Sequence, residues 1–177
     1  MLILDIIMMM EKILISACLL GEKVRYHGGH AYCANSILDK WKEEGRLVLI
    51  CPEISAGLSV PRPPSEIVGR GGGDAVLCGD ARVEKEGGKD YSKVFLSGAK
   101  NALAVAQMHK IKVAILKDGS PSCGSIEIYS GDFSGKRIEG LGVTAAILKR
   151  NGVVVFSEKQ IDLALKEIKK LEKSLGA

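Results

Sequence analysis

The chain has 177 residues, 46% hydrophobic and 26% charged, a composition that suits an ordinary globular fold and excludes a disordered or fibrous polypeptide. Its 25 Lys and Arg against 21 Asp and Glu give a formal charge of +4, a mild bias that suits an anionic small ligand and is too weak to demand DNA. Aromatic residues make up only 5%, which argues against a broad stacking platform for nucleic acid, although one or two rings suffice to sandwich a single base.

The opening stretch, MLILDIIMMM over 1–10, is apolar but contains Asp5 and runs into Glu11 and Lys12, short of the ~20 apolar residues that span a bilayer. It lacks the basic start and small-residue cleavage site of a secretory signal. The reading is a single domain over 12–177 behind an apolar extension over 1–11, with Met8, Met9 and Met10 as alternative starts to Met1. The expected location is the cytoplasm.

Residues 12–17, KILISA, predict a buried strand, 33–44 a helix with Ile37, Leu38 and Trp41 at helical spacing, and 46–50, RLVLI, a second strand. The segment 51–74 holds four of the five prolines together with Gly69, Gly71, Gly72 and Gly73, and reads as a long irregular loop of the kind kept for function. A helix is expected over 91–109 with Asp90 as its N-cap, followed by the strand KVAIL over 112–116 and the turn DGSPSCGS. An extended piece around 126–129, a helix over 142–150, a strand over 153–156 and an amphipathic helix over 158–175 complete the chain. Strands alternating with helices predict an α/β fold, a mostly parallel sheet with helices on both faces in a Rossmann-like three-layer arrangement.

The five cysteines, Cys18, Cys33, Cys51, Cys78 and Cys123, are odd in number and form no CxxC pair, so they do not read as a disulfide framework. Three share a setting: Cys18 follows ILISA, Cys51 follows RLVLI, and Cys123 lies in the loop after KVAIL. In a parallel sheet the carboxyl ends of the strands face one crevice, where ligands bind, so these three can converge on one point, the alternative being unrelated thiols packed in the core. Three thiolates there suit zinc with an open fourth position, or an iron–sulfur cluster with one iron lacking a protein ligand. The spacing leaves both open, and the absence of CxxC pairs tilts toward the larger cofactor. Cys78 reads as packed, while His27 and His30, in HGGHAYC with Cys33, are expected to line a turn and begin a helix. In 120–125, SPSCGS, small residues let backbone approach a bound group closely, and Ser120, Ser122 and Ser125 offer hydroxyls to it.

Five ordered blocks together resemble one family: SACLLGEKVRYHGG (16–29), CPEISAGLSVPRPPSEI (51–67), LSGAKNALAVA (96–106), LKDGSPSCGS (116–125) and EGLGVTAAILKRNGVVVFSE (139–158). They are similar to the thiouracil desulfurase, or desulfidase, family over nearly all of residues 12–158. The resemblance implies a 4Fe-4S cluster with Cys18, Cys51 and Cys123 as its ligands and one open iron. It also implies redox-neutral removal of sulfur from a thiolated uracil or 4-thiouridine derivative, with hydrosulfide as product. Glu53, two residues after Cys51, is then the first choice for proton transfer, with Ser97 and Ser122 as further catalytic contacts. Arg25, Arg62 and Lys117 are the candidates for a substrate phosphate. The chain departs at His27, where the resemblance leads one to expect an acidic residue. The expected partner is a small thiolated base or nucleotide, with tRNA less favoured and the oligomeric state open. A metal sensor without turnover and an iron–sulfur lyase or hydratase are the alternatives, and a carboxylate beside the cysteines favours an enzyme over the sensor.

Overall fold

In the computed structural model, which describes residues 10–175, two runs of β-branched and aliphatic residues form the centre of the molecule. Ile13–Ser16 (β1) and Val113–Leu116 (β5) are buried at every position, as central strands must be when both faces of a sheet are covered. They are flanked by Leu47–Ile50 (β2) and Val154–Ser157 (β8) in the order β2-β1-β5-β8, all parallel. The apolar extension expected over 1–11 falls almost wholly outside the described residues. Among the described residues no helix is long and apolar enough to cross a membrane.

Helices cover both faces. Ser36–Glu43 (α1), capped by the Asn35 side chain, and Ile161–Leu175 (α6) lie on one side, where Leu38, Trp41, Ile161 and Ile168 pack with Ile13, Ile15, Val113 and Ile115. On the other side Ser92–Met108 (α4) and Val143–Arg150 (α5) present Ala102, Ala106, Ala145 and Leu148 to Leu14, Ala114 and Leu116. Burying one such aliphatic side chain contributes about 1.5–3 kcal/mol. The three-layer α/β expectation therefore holds, with helices slightly shorter than their periodicity suggests. Asp90 Oδ1 accepts from the Ser92 amide at 2.7 Å, although the cap position itself falls on Tyr91.

The segment 51–74 is not the irregular loop expected. It forms a short helix, Pro52–Ser55 (α2), a strand, Ser65–Val68 (β3), and the start of a helix, Gly72–Cys78 (α3). β3 pairs antiparallel with Arg82–Lys85 (β4), and the extended piece, Glu127–Tyr129 (β6), pairs antiparallel with Arg137–Glu139 (β7). These two hairpins share a small apolar cluster with α4 through Ile67, Val83, Phe95 and Ile128. Gly73, the second residue of α3, stands where a Cβ would meet the Gly142 carbonyl oxygen at 2.4 Å, so glycines that look like loop punctuation instead allow two helix starts to touch.

From β1 the chain winds to β2 on one side and later places β5 on the other side of β1. The crevice beyond the carboxyl ends of β1 and β5 is thus a topological switch point, the usual place for a ligand in such sheets.

Candidate functional site

Cys18 lies in the 3-10 turn Ala17–Leu20 that leaves β1, Cys51 is the residue between β2 and α2, and Cys123 sits in the loop after β5. All three line one cavity of about 280 Å³. Cys18 and Cys123 are buried, Cys51 is half-buried, and all are free thiols. Burial pushes the Cys18 thiol up to about 11, with Cys51 adding to the rise and Arg25 and Lys117 opposing it. Cys123 is raised most by burial, against a Ser16 hydrogen bond, and further by Cys18 and Cys51. Burial also raises Cys51, opposed by the backbone amide of Ile54. The thiols feel one another's charge, so three thiolates would accumulate here only with a positive partner.

Cys33 and Cys78 do not line this cavity. Cys78, expected to be packed, is instead exposed at the end of α3, 3.5 Å from Arg150 Nη2. The Nδ1 atoms of His27 and His30 accept the amides of Gly29 and Tyr32, the turn role expected of them, but they do not begin the helix, which starts at Ser36 behind the Asn35 cap.

Glu53 lines the cavity from the first turn of α2. Its Oε2 accepts from Arg62 Nε at 2.8 Å, while the two Nη atoms of Arg62 donate to the Ser59 and Val24 carbonyls at 3.1 and 3.0 Å. The Arg62 side chain is only 6% exposed. Its guanidinium lines the cavity but is engaged in joining three chain segments and aiming Glu53, rather than standing free for the phosphate expected from the sequence. Lys117 is likewise engaged, with Nζ on Glu158 at 2.5 Å and on the Asp118 carbonyl at 2.9 Å. Arg25 lines the cavity and, among the described residues, has no carboxylate partner. It is the cation of the three that remains open to an anion.

The two serines proposed for chemistry lie elsewhere. Ser97 is exposed on α4 and outside the cavity lining. Its neighbour Gly98 has the packing role: a Cβ there would come 2.3 Å from the Pro52 carbonyl oxygen, so the glycine lets α4 press against the helix that follows Cys51. The Ser122 hydroxyl is buried and bonded to Thr144 Oγ1 at 2.9 Å, which ties the Cys123 loop to α5. Ser120, by contrast, lines the cavity, and its Oγ accepts the amides of Ser122 and Cys123 at 3.1 Å each. Its hydroxyl proton is left to donate.

One organiser had escaped sequence reasoning. Asp118 stands two residues after the strand of KVAIL and its side chain is fully buried. Its Oδ1 accepts the amides of Ser125, Ile126 and Glu127, and its Oδ2 meets Lys159 Nζ at 3.2 Å. Burial alone would raise this carboxyl, but the amides of Glu127 and Ile126, with Lys159 and Ser125, outweigh it and hold it below the ordinary value. An Asp-Gly pair signals only a turn, so nothing local marked this residue out.

The donor set suits a cluster: Cys18, Cys51 and Cys123 line one cavity from three separate segments, and a cluster takes one thiolate at each of several irons.

The family profile described as 2-thiouracil desulfurase matches residues 13–160. A protein of Bacillus subtilis (strain 168), the uncharacterized protein YbbK, is 45% identical over 150 residues, which cover 85% of this chain and 97% of that protein. Among solved structures, the 4Fe-4S-dependent thiouracil desulfidase TudS superposes with a TM-score of 0.82 at 42% identity, covering 90% of this chain and 98% of its own. The profile spans the segments that carry the three cysteines, and the chain belongs to the 2-thiouracil desulfurase family.

Proposed function

We propose that the chain removes sulfur hydrolytically from a thiolated uracil, with a 4Fe-4S cluster held by Cys18, Cys51 and Cys123 and one iron left open to the substrate. The observation that carries this reading is the convergence of the three thiols and Glu53 on one cavity. When bound, the cluster supplies a soft Lewis acid for the thiocarbonyl sulfur, which polarises the carbon attached to it.

The protein's own groups supply the rest. Arg62 fixes Glu53 Oε2, leaving Oε1 to take a proton from the attacking water. The water oxygen forms the new bond to carbon, the carbon–sulfur bond breaks, and sulfur departs as hydrosulfide with no net electron transfer. Ser120, anchored through its oxygen by two amides, presents its proton to a polar atom of the base. Arg25, which lines the same cavity, suits the phosphate of a nucleotide. The free thiols suit a reducing cytoplasm.

The test is anaerobic reconstitution with iron and sulfide, followed by assay of hydrosulfide release and loss of thiocarbonyl absorption with 2-thiouracil and 4-thiouridine monophosphate. Turnover of at least one is expected. A loaded cluster that turns over neither would overturn the reading in favour of a sensor.

A further inference from the structure

The seven-residue tip of the β6–β7 hairpin, 130–136, carries a feature that the chemistry above does not use. Phe133 has φ 56°, in the left-handed region that a bulky aromatic residue enters only under strain. Glycine would adopt this conformation freely. The backbone is held there from several directions. Buried Glu66 of β3 accepts, through Oε2, the amides of Gly131 at 2.9 Å and Phe133 at 3.1 Å. Within the tip, Asp132 Oδ1 accepts the hydroxyls of Ser130 and Ser134 at 2.6 and 2.7 Å. Gly131 lies so close to β3 that a Cβ would meet the Ile67 carbonyl oxygen at 2.3 Å.

The strained ring is not a core element. Phe133 belongs to none of the three apolar clusters, and it lines the same cavity as the cysteines. Two other rings do so, but both are engaged: Arg137 lies 5.3 Å from the Tyr129 ring, and Tyr26 meets His27 edge-on with Arg25 at 5.9 Å. Among the described residues, Phe133 is the cavity ring with no aromatic or cationic partner.

We infer that Phe133 is the base-stacking residue of this site: the β6–β7 tip, clamped by Glu66, holds its ring in a strained pose to cover one face of a planar pyrimidine. This rests on the desulfurase reading. It makes the preferred substrate a flat heteroaromatic thione rather than any accessible thiocarbonyl, because stacking recognises a ring face and is tolerant of its substituents.

The experiment uses reconstituted holoenzyme and measures kcat and KM for 2-thiouracil, the Kd of uracil by calorimetry, and Tm. Phe133→Gly relaxes the backbone and removes the ring together. The expected result is a rise in KM and in uracil Kd of about tenfold or more, a kcat within about twofold, and an unchanged or higher Tm. Phe133→Trp, which keeps a flat face, should return KM close to that of the parent. Unchanged KM and Kd in Phe133→Gly would overturn the inference, as would a Tm lower by several degrees, which would make the ring a packing element. A parent enzyme that binds uracil yet releases no hydrosulfide overturns the desulfurase reading, and the uracil Kd of the two variants then decides the stacking role by itself.

Discussion

The cavity has a floor and a rim of different construction. The floor stands on β1 and β5, whose residues are all buried between two helical layers, and it carries Cys18, Cys123 and, from the neighbouring β2, Cys51. The rim is made by the hairpins β3–β4 and β6–β7, and in β7 every residue is exposed. The thiols proposed to hold the cluster stand beside strands fixed by packing on both sides. Phe133, proposed to stack on the base, sits on a short hairpin held by the hydrogen bonds of Glu66. On those two proposals, cofactor binding and recognition of the ring face rest on two kinds of mechanical support.

If that division is right, the largest effects come from the floor. Cys18→Ala, Cys51→Ala and Cys123→Ala should each abolish turnover and lower the iron content and visible absorption after reconstitution. Cys33→Ala and Cys78→Ala, whose thiols lie outside the cavity lining, should retain both. Full iron content in all three floor variants would break the comparison at its base. Next in size is Glu53→Gln, which keeps the shape and an acceptor for Arg62 but cannot take a proton. Its kcat should fall by on the order of a hundredfold with the cluster spectrum unchanged, and near-parental turnover would move proton transfer to Ser120.

A smaller effect tests how the floor is fastened. Asp118→Ala leaves three amides of the Cys123 loop without their acceptor, and the cost should be about 3 kcal/mol, or roughly 10 °C in Tm. The folded carboxyl lies below its ordinary value of 3.8, so the unfolded chain binds a proton more readily. This stabilisation is therefore complete at neutral pH and down to about that value, and is lost as pH falls through the lower folded value. Parent and variant should differ less in Tm at pH 3 than at pH 7, and a constant difference would show that the charge of Asp118 is irrelevant to the loop.

The floor was far more legible in the sequence than the rim. KILISA, RLVLI and KVAIL are apolar runs whose strand character follows from composition, and each points to its own cysteine. The rim strands SEIV and RVEK are four residues long, charged, and set among prolines and glycines, so local propensity opposes the structure that tertiary packing imposes. The same blindness affected the cations. Arg62 and Lys117 look available in one dimension, and only the fold brings Glu53 beside the first and Glu158 beside the second. Phe133 carried no signal at all, because its interest lies in a backbone angle and a distant carboxylate.

Ser97 gives the smallest expected effect and the sharpest test of where the floor ends. It stands in a block shared with the family resemblance, between residues buried at 95 and 98–99, and on sequence grounds it had a claim to chemistry. The structure gives the packing role to Gly98, against the Pro52 carbonyl, and leaves the Ser97 side chain facing outward on α4. Ser97→Ala removes one exposed hydroxyl at a helical position that alanine favours, so stability should change by no more than about 0.5 kcal/mol. The kcat/KM of the reconstituted variant should stay within about twofold of the parent. A tenfold loss with unchanged Tm would mean that α4 reaches the reacting groups, and the floor would then include a helical face as well as the three strand ends.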